Sequence, residues 1–216
     1  MCFIEFYLFY FDSMKIICIG RNFVEHALEL RNEVPTEPVF FMKPDTAILP
    51  SDRAFFIPDF SNDIHHEIEL VLKICKEGKH IASEFAHRYY DQITVGIDFT
   101  ARDIQQRQKE KGLPWEPAKA FDHSAPVGKF IPVSVLKNKN KIEFSLNKNG
   151  QTVQSADNSL MIHSFDTIIS FVSRYITLRK GDLIFTGTPK GVSAVKPGDL
   201  LEGYLEGEKL LEVKVQ

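Results

Sequence analysis

The stretch His65-His66-Glu67-Ile68-Glu69-Leu70-Val71-Leu72 places two carboxylates two positions apart in a segment with strand periodicity. On a strand, Glu67 and Glu69 share a face, with Cα atoms about 6.5–7 Å apart. Two negative charges that close call for one of two settings: a solvated face, or a hard divalent cation gripped by carboxylate oxygens. A second pair is His26 and Glu29, three apart on a segment read as a short helix, Phe23 to Leu30, and so on one helix face. A carboxylate beside an imidazole raises its basicity and fixes its tautomer, as a general base requires. The same spacing is also common as plain surface charge. A third segment, Thr186-Gly187-Thr188-Pro189-Lys190-Gly191-Val192, combines hydroxyls, glycines and a proline. Its backbone N–H groups could receive a carboxylate, or it is a simple turn.

The elements that must position these groups can be read in order. Met14 to Ile19 is a buried strand, and Gly20-Arg21-Asn22 turns it into the His26 helix with Asn22 as N-cap. Val39 to Pro44 and Ala54 to Pro58 read as strands, and Ile64 to Cys75 as one continuous strand carrying both glutamates. Ser83 caps a helix running to about Tyr90. Ile93 to Phe99 is a strand that delivers Asp98, and a polar helix from Asp103 to Lys111 carries Gln105. Residues 112–122 hold the single Trp, Trp115, between Pro114 and Pro117, which suits a loop lining a site. Asn149-Gly150 marks a hairpin between residues 142–146 and 151–154. Ser164 caps a helix from Phe165 to Ile176 whose apolar positions, Tyr175 among them, belong to the core. Leu183 to Phe185 and two C-terminal strands, 199–206 and 209–215, complete the chain.

The 216 residues suffice for one sizeable core, and 44% hydrophobic with 25% charged residues is an ordinary globular mixture. A net charge of −3 gives no nucleic-acid surface; Lys137 to Lys141 reads as a solvated loop. Three cysteines without CxxC spacing fit a reducing cytoplasm, with Cys18 and Cys75 as buried thiols. Met1 to Phe11 is nearly all apolar, yet too short to span a membrane and without the basic start of a signal peptide. Since Met14 to Gly20 looks like a strand-first beginning, residues 1–13 read as an extension, the alternative being an extra edge strand or an oligomer contact, and 14–216 as a single domain with no repeat or linker.

The motifs Gly20-Arg21-Asn22-Phe23, His65-His66-Glu67-Ile68-Glu69-Leu70, Asp98-Phe99-Thr100-Ala101-Arg102-Asp103, Lys111-Gly112-Leu113-Pro114-Trp115, Ala118-Lys119-Ala120-Phe121-Asp122 and Thr186 to Val192 together resemble the fumarylacetoacetate hydrolase family, and within it the acylpyruvate hydrolase and oxaloacetate decarboxylase branch. The resemblance runs from about Met14 to the C-terminus. It implies a β-rich α+β fold, a mixed β-sandwich roll with a few short helices, usually assembled as a homodimer. It also implies Glu67, Glu69 and Asp98 as ligands for Mg²⁺ (or Mn²⁺), His26 and Glu29 as the dyad that activates water, and Lys119 as the lysine reaching the substrate carbonyl. Arg21, Lys43, Arg102, Gln105, Gly187 and Thr188 match positions near the bound keto acid, and the His26 helix matches a mobile lid.

An oxygen-only ligand set suits such an ion, which a 2-keto acid chelates and which stabilises a developing pyruvate enolate. Hydrolysis of an acylpyruvate, decarboxylation or tautomerisation of oxaloacetate, and isomerisation of 2-hydroxyhepta-2,4-diene-1,7-dioate all pass through related enolates. The His26–Glu29 pair tilts the expectation toward hydrolysis. The competing classes are a keto-acid-binding homologue without turnover and a protein-interaction domain; neither needs so many usable polar groups.

Overall fold

Short runs of β-branched and aromatic residues make short strands, and fifteen form in the computed structural model, which describes residues 14–29 and 33–216. The largest sheet orders β2 (Val39–Lys43), β1 (Ile16–Gly20), β12 (Leu183–Phe185), β5 (Ile68–Ile74), β6 (Tyr90–Ile97) and β9 (Ile131–Pro132). Within it, β1 and β12 are parallel and every other neighbouring pair is antiparallel. An antiparallel sheet of β11 (Gln151–Asp157), β10 (Glu143–Lys148), β14 (Leu200–Leu205) and β15 (Glu208–Lys214) packs on it. The two approach closely: a Cβ added at Gly203 of β14 would stand 2.9 Å from Val95 of β6. Ile68, Leu70, Val95, Leu146, Leu201 and Val213 fill the space between. Two small sheets complete the β structure, β13 (Ser193–Ala194) with β4 (Ile64–His66) and β7 (Thr100–Ala101), and β3 (Ile48–Leu49) with β8 (Ala125–Pro126). Five short helices decorate them: α1 (Val24–Glu29), α2 (Ser83–Ala86), α3 (Arg102–Lys111), α4 (Glu116–Lys119) and α5 (Phe165–Tyr175). The architecture is the expected β-rich α+β sandwich. No helix among the described residues is long and apolar enough to cross a membrane. The proposed extension, residues 1–13, lies outside the described residues.

Local signals carried through where the chemistry was local. Asn149 and Gly150 both have positive φ, 55° and 79°, as the two-residue turn between β10 and β11 requires. Ser164 caps α5, its Oγ accepting the Thr167 N–H at 3.3 Å. Several expectations are corrected. The strand from Ile64 to Cys75 is two strands: β4 pairs with β13 and β7, β5 pairs with β6 and β12, and Glu67 sits at the break. Residues 54–58 form only an isolated bridge, Phe55 to Val215, with the Phe55 and Ile57 N–H groups donating to the Lys214 and Gln216 carbonyls. The Ser83 helix ends at Ala86 and takes no side-chain cap from its N-cap residue, Ala82. Tyr175 is 61% exposed, tilted against Phe171 at the end of α5 rather than buried. Cys75 is half-buried, since it follows the last residue of β5.

Candidate active site

Glu67, Glu69 and Asp98 are gathered at one end of the β5–β6 ladder. Glu67 immediately precedes β5, two residues from Glu69, and the Asp98 N–H donates to the Glu67 carbonyl at 2.8 Å, continuing the ladder and locking the end of β6 beside it. Register does the rest, since Glu69 pairs with Gly96 two residues before Asp98. All three carboxylates are buried, at 4%, 2% and 1% exposure, and their oxygens come within 4.8 Å of one another. The solvated-face reading of the glutamates is thereby overturned.

Three cations meet this charge. Lys119 Nζ donates to Glu67 Oε2 at 2.7 Å, Asp98 Oδ2 at 2.6 Å and Thr100 Oγ1 at 2.5 Å. Arg102 pairs with Glu67 Oε1 and donates to Gln105 Oε1 at 2.6 Å. Lys43 Nζ lies 2.8 Å from Asp98 Oδ1 and donates to Ser124 Oγ and to the Lys119 carbonyl. Burial works against ionised Glu67, but Lys119 and Arg102 hold it well below the usual carboxylate range. Glu69 goes the other way: burial, then the charges of Asp98 and Glu67, push it well above that range. Its Oε2 accepts the Gly187 N–H at 2.7 Å, while the three cations pair with its neighbours. A buried carboxylate left short of positive charge beside two others, in an all-oxygen set, is what a hard dication fits.

Gly187 is required at its position. Its φ is +103°, and a Cβ there would stand 2.6 Å from the Asn22 Cβ. The cavity beside the carboxylates is walled by His26, Arg21, Arg102, Gln105, Lys119 and Thr188, with Phe41 and Trp115 closing one side. About 30 Å³ of it is free. His26 is 5% exposed, with Nδ1 3.4 Å from Glu29 Oε2. Burial lowers its pKa against the opposing pull of Glu67 and Glu29, so the imidazole is neutral at pH 7. Glu29 is itself oriented by the Gly191 N–H at 3.1 Å. The sequence-predicted site residues are thus brought together, but three of them do not line the cavity itself: Lys43 pairs with Asp98, Glu29 backs His26, and the Gly187 N–H holds Glu69.

The pattern described as fumarylacetoacetate (FAA) hydrolase C-terminal matches residues 15–216. The chain belongs to the fumarylacetoacetate hydrolase family. Within that family it is 41% identical over 202 residues to oxaloacetate tautomerase FAHD1, mitochondrial, of Rattus norvegicus, covering 94% of this chain and 91% of that one. It is 40% identical over 200 residues to oxaloacetate decarboxylase, mitochondrial, of Dictyostelium discoideum, covering 92% of each. Fumarylpyruvate hydrolase from Pseudomonas aeruginosa, solved in complex with Mn²⁺ and pyruvate, superposes with a TM-score of 0.88 at 39% identity, over 93% of this chain and 88% of that one. The named relatives are enzymes.

Two supporting residues of this family member escaped the sequence reading. Asn22 is not an N-cap: it is fully buried, its amide donating to the His163 and Thr186 carbonyls and accepting the His163 N–H. It pins the end of β1 to the loop that carries Gly187. Asn22→Ala leaves three buried backbone groups without partners and should cost about 2–4 kcal/mol, read from urea unfolding. His66 is buried between Gln154 Oε1 at 2.9 Å and Ser193 Oγ at 2.8 Å, and burial pulls it down to about 4. The folded state therefore refuses a proton that the unfolded chain takes up below about 6.5, so stability falls as pH drops from 6.5 toward 4. The loss from this residue is about 3 kcal/mol at the acid end of that window. A His66→Gln variant should show a flatter dependence of melting temperature on pH over that range.

Proposed function

We propose that this chain is a divalent-cation-dependent enzyme of pyruvate-containing keto acids, hydrolysing the C–C bond of an acylpyruvate. The observation that supports it is His26, a neutral buried imidazole backed by Glu29 on the wall of the cavity that holds the three carboxylates. Glu67, Glu69 and Asp98 would hold Mg²⁺ or Mn²⁺, which when bound supplies Lewis acidity to the keto acid oxygens. With Nδ1–H turned to Glu29, Nε2 of His26 takes a proton from water as the water oxygen bonds to the distal carbonyl carbon. The C–C bond then breaks, and its electron pair passes to C3 of the pyruvoyl unit. The proton held by His26 is delivered to C3, giving pyruvate, and the acyl fragment leaves as a carboxylate with its second proton lost to solvent. Arg102, Lys119 and Gln105 supply donors to the carboxylate and to the charge that develops on the keto oxygen.

A second reading, tautomerisation and decarboxylation of oxaloacetate, is favoured by the activities named for the rat and Dictyostelium relatives. There His26 would move a C3 proton and no water would add. A panel of fumarylpyruvate, acetylpyruvate, oxaloacetate and 2-hydroxyhepta-2,4-diene-1,7-dioate, each with Mg²⁺ and Mn²⁺, tests the proposal. Pyruvate released from an acylpyruvate with the highest kcat/KM of the set supports hydrolysis. Turnover of oxaloacetate alone replaces it with the second reading, and binding without turnover of any substrate replaces it with a keto-acid-binding protein.

A further inference from the structure

Gln154 belongs to β11, in the sheet that packs on the one carrying the carboxylates, and its side chain is buried. Its amide oxygen Oε1 accepts the Ile68 N–H at 3.0 Å and meets His66 Nδ1 at 2.9 Å. Its Nε2 donates to Thr188 Oγ1 at 2.9 Å and to the Pro189 carbonyl at 3.0 Å. Two of these partners fix the amide's orientation by chemistry alone. A backbone N–H can only donate and a backbone carbonyl can only accept, so the oxygen must face Ile68 and the nitrogen Pro189. The other two directions follow: His66 Nδ1 carries a proton, and Thr188 Oγ1 accepts an N–H.

The last of these directions reaches the cavity. A threonine hydroxyl has one proton to give, and an amide nitrogen does not accept it. Among the described residues the Thr188 hydroxyl donates to no other group, while its oxygen is held by Gln154. Thr188 lines the cavity with Glu67, Glu69 and Asp98, and Gly187 before it gives its N–H to Glu69. The loop that carries both is pressed onto β11: at Gly191 a Cβ would collide with the Val153 carbonyl. The hydroxyl thus stands at the cavity with its oxygen anchored and its proton unclaimed.

We infer that Gln154 is a positioning residue, which sets the Thr188 hydroxyl as a hydrogen-bond donor toward an anionic oxygen of the bound keto acid. The inference rests on the function proposed above, which puts a keto acid in this cavity. Gln154 does not itself line the cavity and acts only through Thr188. It does so in two ways. It removes the rotamer in which the hydroxyl would give its proton inward and turn only lone pairs to an anion. It also fixes the oxygen before the ligand arrives, so less freedom is lost on binding.

The test is a double-mutant cycle read as pyruvate affinity, by calorimetry on the Mn²⁺-loaded full chain, below the melting temperature of each variant. Thr188→Val should weaken pyruvate about tenfold or more, the worth of a hydrogen bond to a charged group, and Thr188→Ser should keep most of the affinity. Gln154→Glu keeps the shape and the oxygen for Ile68 and His66, but offers the Thr188 proton an acceptor away from the cavity. In that background, adding Thr188→Val should cost less than about twofold. Any general effect of the new charge on pyruvate is common to both members of the pair and drops out of the ratio. Gln154→Met, which offers neither donor nor acceptor, should leave a factor between the two, and it carries the cycle if Gln154→Glu does not fold. The same cost of Thr188→Val with and without Gln154 makes the glutamine a structural residue and overturns the inference. Wild-type affinity in Thr188→Val also overturns it. Both results leave the proposed function standing, whereas a wild type that does not bind pyruvate with Mn²⁺ overturns the two together.

Discussion

His26→Ala should lower acylpyruvate hydrolysis by a factor on the order of 10²–10⁴, the usual share of a positioned general base. The argument is geometric before it is electrostatic. His26 is buried on the cavity wall, its Nδ1 faces Glu29, and Glu29 is held by the Gly191 N–H, so Nε2 is the nitrogen left for the substrate. Removing the imidazole leaves the carboxylate cluster and its lysines in place, so KM should move far less than kcat. Glu29→Gln should cost less, about tenfold, because its carboxylate is partly exposed and the 3.4 Å contact is long. The pH profile carries a sign as well. Burial depresses the His26 pKa, and only the neutral ring accepts a proton, so kcat/KM should rise with pH through that depressed value and then level. Steady-state kinetics across pH 5–8 would check all three, the range in which histidine titrates. An alanine variant that hydrolyses at the wild-type rate would remove His26 from the chemistry and leave proton transfer to some other group.

What could be read from the residues in advance, and what could not, follows the range of the interactions involved. The alternation around Glu67 and Glu69 was visible because strand period is a local property. The break at Glu67 was not, because it arises from partners far away in sequence: Ser193 pairs with His66, and Ile97 with Ile68. Glu67 stands at that break and still meets the end of β6, where the Asp98 N–H donates to its carbonyl. Asp98 entered through resemblance, not periodicity; nothing in Ile93 to Phe99 marks one aspartate as a ligand. Asn22 illustrates a correct residue with a wrong role, for an Asn before a helix suits an N-cap and a buried bracket equally well until the His163 backbone is known to be its neighbour. Lys109 was illegible for another reason. It stands in Gln106-Arg107-Gln108-Lys109-Glu110-Lys111, a run in which every side chain is polar, and only the packing of α3 shows that Lys109 lines the cavity while Gln108 is buried.

Glu69→Gln should separate the cation site from the stability of the fold. In the cation-free protein Glu69 is a burden: it is buried, flanked by Asp98 and Glu67, and its pKa is driven up by both burial and those charges. Glutamine keeps an oxygen for the Gly187 N–H and removes a charge, so the melting temperature without divalent ions should be unchanged or higher. Addition of Mn²⁺ should raise the melting temperature of the wild type, by mass action on the folded state, and leave that of the variant nearly where it was. Chelation with EDTA should abolish wild-type turnover and Mg²⁺ or Mn²⁺ should restore it. The variant should remain slower by a factor on the order of 10³ under saturating ion, since several kcal/mol of transition-state stabilisation depend on the site being filled. Lys119→Met should behave in the opposite way without ions, losing about 3–5 kcal/mol of stability, because it removes the one buried cation that Glu67 and Asp98 share and leaves each with a single partner, Arg102 or Lys43. In that variant Mn²⁺ should produce a larger shift in melting temperature than in the wild type, since the ion then supplies the only nearby charge that bridges both carboxylates. A Glu69→Gln protein that is destabilised yet still responds to Mn²⁺ would mean that the three carboxylates are a structural ion-pair network, with Lys119 and Arg102 as their intended partners and no place for a dication among them.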